Sequence, residues 1–111
     1  MNVEELKHNI KKIFGNEIIF NKEFDNYAAK IKNIENYLIE WCTKLKSGQF
    51  VPLRPPKLIN SRIFIKKIGS ANRCIVIKMV NEEFKEIHLA DHNYYDQKMK
   101  ELGLKKSSKT Y

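Results

Sequence analysis

With 111 residues, 42% hydrophobic and 31% charged, the chain can build one modest core, is not disordered by composition, and contains no apolar run approaching a membrane span. Lys and Arg outnumber Asp and Glu by 21 to 13. The formal charge of +8 creates a field that attracts polyanions, nucleic acid first and an acidic protein second.

The chain opens with acids, Glu4 and Glu5, where a secretory signal needs bases, so a cytoplasmic protein with no membrane partner is expected. Val3, Leu6, Ile10, Ile13 and Phe14 recur at helical spacing, and the stripe predicts an amphipathic helix over 3–14 ended by Gly15. Glu17-Ile18-Ile19-Phe20 predicts a short strand, with Asn21 placed to cap the next helix. Over 22–46, Phe24, Tyr27, Ala28, Ile31, Ile34, Leu38, Trp41 and Leu45 advance by threes and fours. This stripe fits one long helix or a pair bent near Lys32-Asn33. Used between two copies of the chain, it would make a homodimer. Pro52, Pro55 and Pro56 then forbid helix and predict an extended connector.

From residue 61 the pattern becomes β. Three strands are expected, over 62–68, 73–80 and 84–89, joined by turns at Gly69-Ser70-Ala71-Asn72 and Asn81-Glu82-Glu83. Residues 90–96 form a tail rich in His and Tyr, 97–104 are helix-permissive, and 105–111 read as a frayed basic end. Cys42 and Cys74 form neither a CxxC pair nor a disulfide framework and read as buried free thiols. The expected architecture is α+β: an antiparallel sheet of about four strands, helices packed on one face, the other face open.

The open face is where chemistry is expected. Parity on the last strand groups Ile87 and Leu89 toward the helices and leaves Glu86 and His88 on the open side. Glu86 has Lys78 or Lys66 as its expected ion-pair partner. Parity alone does not place Arg73, because both sides of its strand are apolar. RNA cleavage needs a base for the 2′-hydroxyl proton, cations for the phosphoryl oxygens and an acid for the departing 5′-oxygen. Arg binds phosphate through a fork of donors, His transfers protons near neutral pH, and aromatic rings stack unpaired bases. Arg73, Lys66, His92, Tyr94 and Tyr95 supply these types, with a surface strand charge as the plain alternative for Arg73. His88 and His92 lack the helical geometry of an HxxxH pair, so no metal and no cofactor is expected.

The segments Glu17–Phe24, Ile65–Ile77 and His92-Asn93-Tyr94-Tyr95 resemble, in order, three parts of RelE/ParE superfamily toxins: the first strand and helix start, the basic-strand–Gly-turn–arginine-strand segment, and the closing His-plus-Tyr element. The resemblance spans residues 17–96 and implies one RelE-like domain over 1–111, with residues 1–15 as a helical extension. It implies an mRNA interferase that cuts mRNA on the ribosome and is neutralised by a cognate acidic antitoxin. The implied catalytic set is Arg73, His92, Lys66 and Tyr94 or Tyr95, of which Tyr95 is taken as catalytic; Tyr94, Lys67, His88 and Arg62 are the expected substrate contacts. Asn72 departs from the pattern, standing where the family carries an aromatic. A ParE-like gyrase inhibitor, or an inert RNA- or ribosome-binding relative, is the alternative the same fold allows.

Overall fold

The structure, a computed structural model, describes residues 2–104. The element order is α1 (Val3–Phe14), β1 (Ile19–Phe20), α2 (Phe24–Lys30), α3 (Ile34–Lys46), β2 (Ser61–Ile68), β3 (Asn72–Met79), β4 (Phe84–Asp91) and α4 (His92–Leu102). The basic stretch over 105–111 lies outside the described residues. No helix among the described residues is long and apolar enough to cross a membrane.

The 22–46 stripe is a helix pair. Asn33 adopts a left-handed conformation at φ 58°, which an asparagine tolerates far better than a β-branched residue, and this breaks the ladder between α2 and α3. Asn21 does not cap α2. Its side-chain amide donates to Leu89 O at 3.0 Å and accepts from Leu89 N at 2.9 Å. A side chain thus continues the β1–β4 pairing by one step after only two strand residues.

The sheet order is β1-β4-β3-β2. β2, β3 and β4 form the expected antiparallel meander, but β1 runs parallel to β4, with Ile19 opposite Glu86 and Phe20 opposite Ile87. The expectation of a wholly antiparallel sheet is therefore corrected to a mixed one. Between β1 and β4 the chain runs through α2, α3, β2 and β3, long enough to bring β4 back beside β1 in the same direction.

The expectation of helices on one face only is also corrected. On one side, Leu6, Ile10 and Phe14 of α1, Phe24 of α2 and Leu38, Trp41 and Leu45 of α3 pack on Phe64, Ile68, Cys74, Val76, Ile87 and Leu89. On the other side, Tyr95, Met99 and Leu102 of α4 cover Ile63, Ile65, Ile75 and Ile77. β3 is apolar on both faces, and a strand of that kind needs cover on both. α4 supplies the second cover. Each large side chain buried beneath it stabilises by roughly 1.5–3 kcal/mol, more than a typical helix cap contributes. α1 is likewise woven into the first core and is not a loosely appended segment. Phe84 joins the first core, against strict alternation with Glu86 and His88, because the β3–β4 register shifts between Ile77 and Lys78.

Candidate functional site

The end of β4 and the start of α4 build the site. Asp91 is extended and caps α4, its Oδ1 accepting from Tyr94 N at 2.9 Å. The His92 N–H donates to Ala71 O at 2.9 Å and fastens the helix start to the β2–β3 turn. Gly69 opens that turn at φ 62°, a left-handed conformation that favours glycine. The chain thereby brings His92 next to the segment that carries Arg73.

Arg73 shares its side of β3 with Ile75 and Ile77 and is only 8% exposed. Its Nη1 donates to Asn72 O at 2.9 Å and Ser70 O at 3.3 Å. Its guanidinium carbon lies 5.5 Å from the centre of the Tyr95 ring. Nε is buried without a partner. No carboxylate among the described residues lies within ion-pair distance of it. A buried cation held by neutral carbonyls and an aromatic face, with a donor to spare, has the chemistry to bind an anion.

The His92 ring meets the same Tyr95 ring edge-on at a centroid distance of 6.0 Å. His92 Nδ1 lies 3.0 Å from Asp96 Oδ2, one helical turn on. That bond fixes the ring and leaves Nε2 as the outward acceptor on a side chain that is 45% exposed. Lys67 pairs with Arg73 across β2 and β3, shares its side of the sheet and is exposed. Arg73, His92, Tyr95 and Lys67 are thus brought together at the turn end of the α4-covered face.

Lys66 and Arg62 are not. Both alternate with Phe64 and Ile68 and so belong to the opposite side of the sheet. Lys66 lines a cavity under α3 with Trp41, Lys44 and Phe50. Arg62 turns its Nη1 onto Ser61 O at 2.6 Å and Ile59 O at 3.2 Å, at the far end of β2. Period-two alternation separates both from Arg73, and their expected roles beside it are corrected accordingly.

His88 and Tyr94 have their polar atoms engaged with one another. His88 Nδ1 lies 2.7 Å from Tyr94 Oη, and Nε2 lies 2.8 Å from Glu86 Oε1. The hydrogen bond from His88 is the first cause holding the Glu86 carboxyl below its ordinary range, so Glu86 takes the Nε2 proton as an acceptor. Nδ1 then accepts from the Tyr94 hydroxyl, whose pKa burial pushes up. Glu86 therefore pairs with His88, not with Lys78 or Lys66, and Lys78 pairs with Glu82. The trio pins α4 to β4 as a satisfied buried network.

Cys42 and Cys74 are buried free thiols whose pKa values burial drives upward, which leaves them poor nucleophiles. No cluster of three or more His, Cys, Asp or Glu placed to hold a metal occurs among the described residues.

Sequence reasoning missed Asp91 as a cap and Asp96 as the partner of His92. Both were readable: an Asp directly precedes the Tyr95, Met99, Leu102 stripe, and Asp96 stands four residues after His92. The Tyr94 N–H is the first cause holding the Asp91 carboxyl below the ordinary range, and the nearby Tyr27 hydroxyl adds to it. Asp91→Ala is expected to cost about 1–2 kcal/mol in denaturant unfolding, the usual loss for a helix cap. Asp91 and Glu86 both have lowered native pKa values, so their contribution is present above the ordinary carboxylate range and is lost as pH falls through the lowered values. Amide exchange in α4 should therefore accelerate below about pH 4, ahead of exchange in β3. Equal acceleration in both elements would contradict that assignment.

No family model, curated protein or solved structure shows a significant match to this chain.

Proposed function

We propose that the protein is a metal-independent endoribonuclease acting on mRNA, a toxin of a toxin–antitoxin pair working in the cytoplasm with the ribosome. The observation that carries this reading is Arg73: a buried guanidinium with no carboxylate at ion-pair distance among the described residues, on the same Tyr95 ring that the Asp96-held His92 meets. In this mechanism Arg73 and Lys67 hold the non-bridging oxygens of one phosphate. His92 Nε2 takes the 2′-hydroxyl proton, and the 2′-oxygen attacks phosphorus. The P–O5′ bond breaks, and the departing oxygen takes a proton from the Lys67 ammonium or from water. The products are a 2′,3′-cyclic phosphate and a 5′-hydroxyl, with no redox partner needed. Tyr95 positions Arg73 and His92 and does not itself transfer the proton, because it is buried beneath them.

The sheet arrangement and the net charge of +8 are compatible with the resemblance drawn from the sequence, including an acidic antitoxin as partner. One observation favours a second reading: α4 covers the centre of the face where the nuclease set is expected. That cover suits a non-catalytic member of the same fold, which binds RNA, the ribosome or gyrase without cutting. Primer extension on a defined mRNA in a translating extract separates the two. The nuclease reading expects codon-spaced stops that appear only with the protein; intact transcripts at saturating protein would leave the binding reading.

A further inference from the structure

On the other side of the β2–β3 turn from Arg73 lies a cavity of about 410 Å³ that the proposed cleavage does not use. Tyr27 and Lys30 of α2, Lys32 of the α2–α3 break, Tyr37 of α3, and Gly69 and Asn72 of the turn line it. No Asp or Glu is among its lining residues. Tyr37 is 49% exposed, a large share for an aromatic residue, and Lys30 Nζ lies 5.7 Å from the centre of the Tyr27 ring. The left-handed Asn33 turns the chain here, so the two tyrosines come from different helices and face one space.

The cavity and the Arg73 site share a wall. Asn72 lines the cavity, and its carbonyl accepts from Arg73 Nη1 at 2.9 Å. Tyr27 lies within electrostatic reach of Asp91, the residue before His92. A chain lying across the turn would reach from one site to the other through Asn72.

The geometry points to a nucleotide subsite: an unpaired base of single-stranded RNA stacked on Tyr37, with its phosphate met by Lys30 and Lys32, next to the nucleotide whose phosphate Arg73 holds. Aromatic rings stack any base, and lysines neutralise backbone phosphate without reading sequence, so the subsite contributes affinity and register, not base choice. This rests on the nuclease reading for its direction along the RNA, and not for the binding itself.

The test measures fluorescence anisotropy of a labelled single-stranded oligonucleotide carrying 2′-O-methyl groups, which the proposed mechanism does not cleave. Tyr37→Ala is expected to weaken binding by about 5- to 100-fold, the loss of one base–aromatic stack, while Tyr37→Phe keeps the affinity. Lys30→Ala/Lys32→Ala is expected to lower the slope of log K against log salt by about 1.4, the value for two phosphate contacts on a single strand. Tyr37→Ala should raise KM for cleavable RNA and leave kcat unchanged. Unchanged affinity in Tyr37→Ala together with an unchanged salt slope in the lysine variant would overturn the subsite, even with cleavage intact. If wild-type protein binds with these dependences but never cleaves, the subsite stands and the nuclease reading falls. If the variants lose affinity equally for an acidic polypeptide such as polyglutamate and for the oligonucleotide, the cavity is a general anion patch and the subsite is overturned.

Discussion

Arg73→Met should cut RNA cleavage by about 10²- to 10³-fold while leaving the protein as stable as the wild type or up to about 2 kcal/mol more stable. The two halves of this result come from one feature. A guanidinium at 8% exposure, without a carboxylate and with an unpartnered Nε, carries a desolvation cost that its surroundings only partly offset. Its compensation is the Tyr95 face, for which about 1–2 kcal/mol is a fair figure, and two bonds from Nη1 to carbonyls of the turn. Methionine fills similar volume, stacks on the ring through sulfur and carries no charge to desolvate. The carbonyls of Ser70 and Asn72 belong to residues that are exposed or half-buried, so water can replace the lost donors. Cleavage loses the group that holds the developing phosphoryl charge, a loss on the order of 10²- to 10³-fold. Arg73→Lys keeps the charge but not the fork and should recover only part of the rate. Thermal unfolding and a cleavage assay on the same preparations check both halves. A loss of more than about 1 kcal/mol in Arg73→Met would mark Arg73 as a structural tie, since a residue kept for function at the expense of stability shows the opposite sign.

His92→Ala should cut the cleavage rate by about 10²- to 10⁴-fold, the range for loss of a general base, with little change in stability. The side chain is 45% exposed and is not part of either core. The backbone bond from His92 N to Ala71 O survives the substitution, so the helix start keeps its place. Asp96→Asn is the companion variant. Asp96 acts through His92 by fixing its ring, so its replacement should lower kcat by a smaller factor and leave KM nearly unchanged. An unchanged kcat in Asp96→Asn would assign Asp96 to holding α4 alone.

Much of the fold was legible in the sequence because it rests on periodicity. The α1 stripe, the 22–46 stripe and the three-strand meander all announce themselves by spacing, and the structure contains each of them. What was not legible depended on tertiary choices. Whether the stripe bends at Asn33 is decided by one residue in a left-handed conformation that periodicity does not register. The β1 direction is decided by where the α2–α3 pair returns the chain. The second cover on the sheet is written in two places, in β3, whose two faces are both apolar, and in the spacing of Tyr95, Met99 and Leu102; only the fold joins one signal to the other.

The site was legible in the same uneven way. Arg73 and His92 stand out by their chemistry, and they meet through Tyr95 because Asp91 starts a helix where a tail was expected. Lys66 lies one ladder step from Arg73, opposite Cys74, yet on the wrong face. One residue of strand sends it to the opposite face and leaves Lys67 in its place. His88 has the right chemistry, but its two nitrogens are already engaged by Tyr94 and Glu86.

The chemistry of the RNA ends tests the central claim most directly. Purified protein is incubated with translating ribosomes and a defined mRNA in the presence of EDTA-buffered trace metals, and the fragment termini are identified. Attack by the 2′-hydroxyl at the Arg73–His92 site predicts 2′,3′-cyclic phosphate and 5′-hydroxyl ends with wild-type protein and none above background with Arg73→Met. Ends bearing 3′-hydroxyl and 5′-phosphate, or fragments made equally well by Arg73→Met, would contradict it.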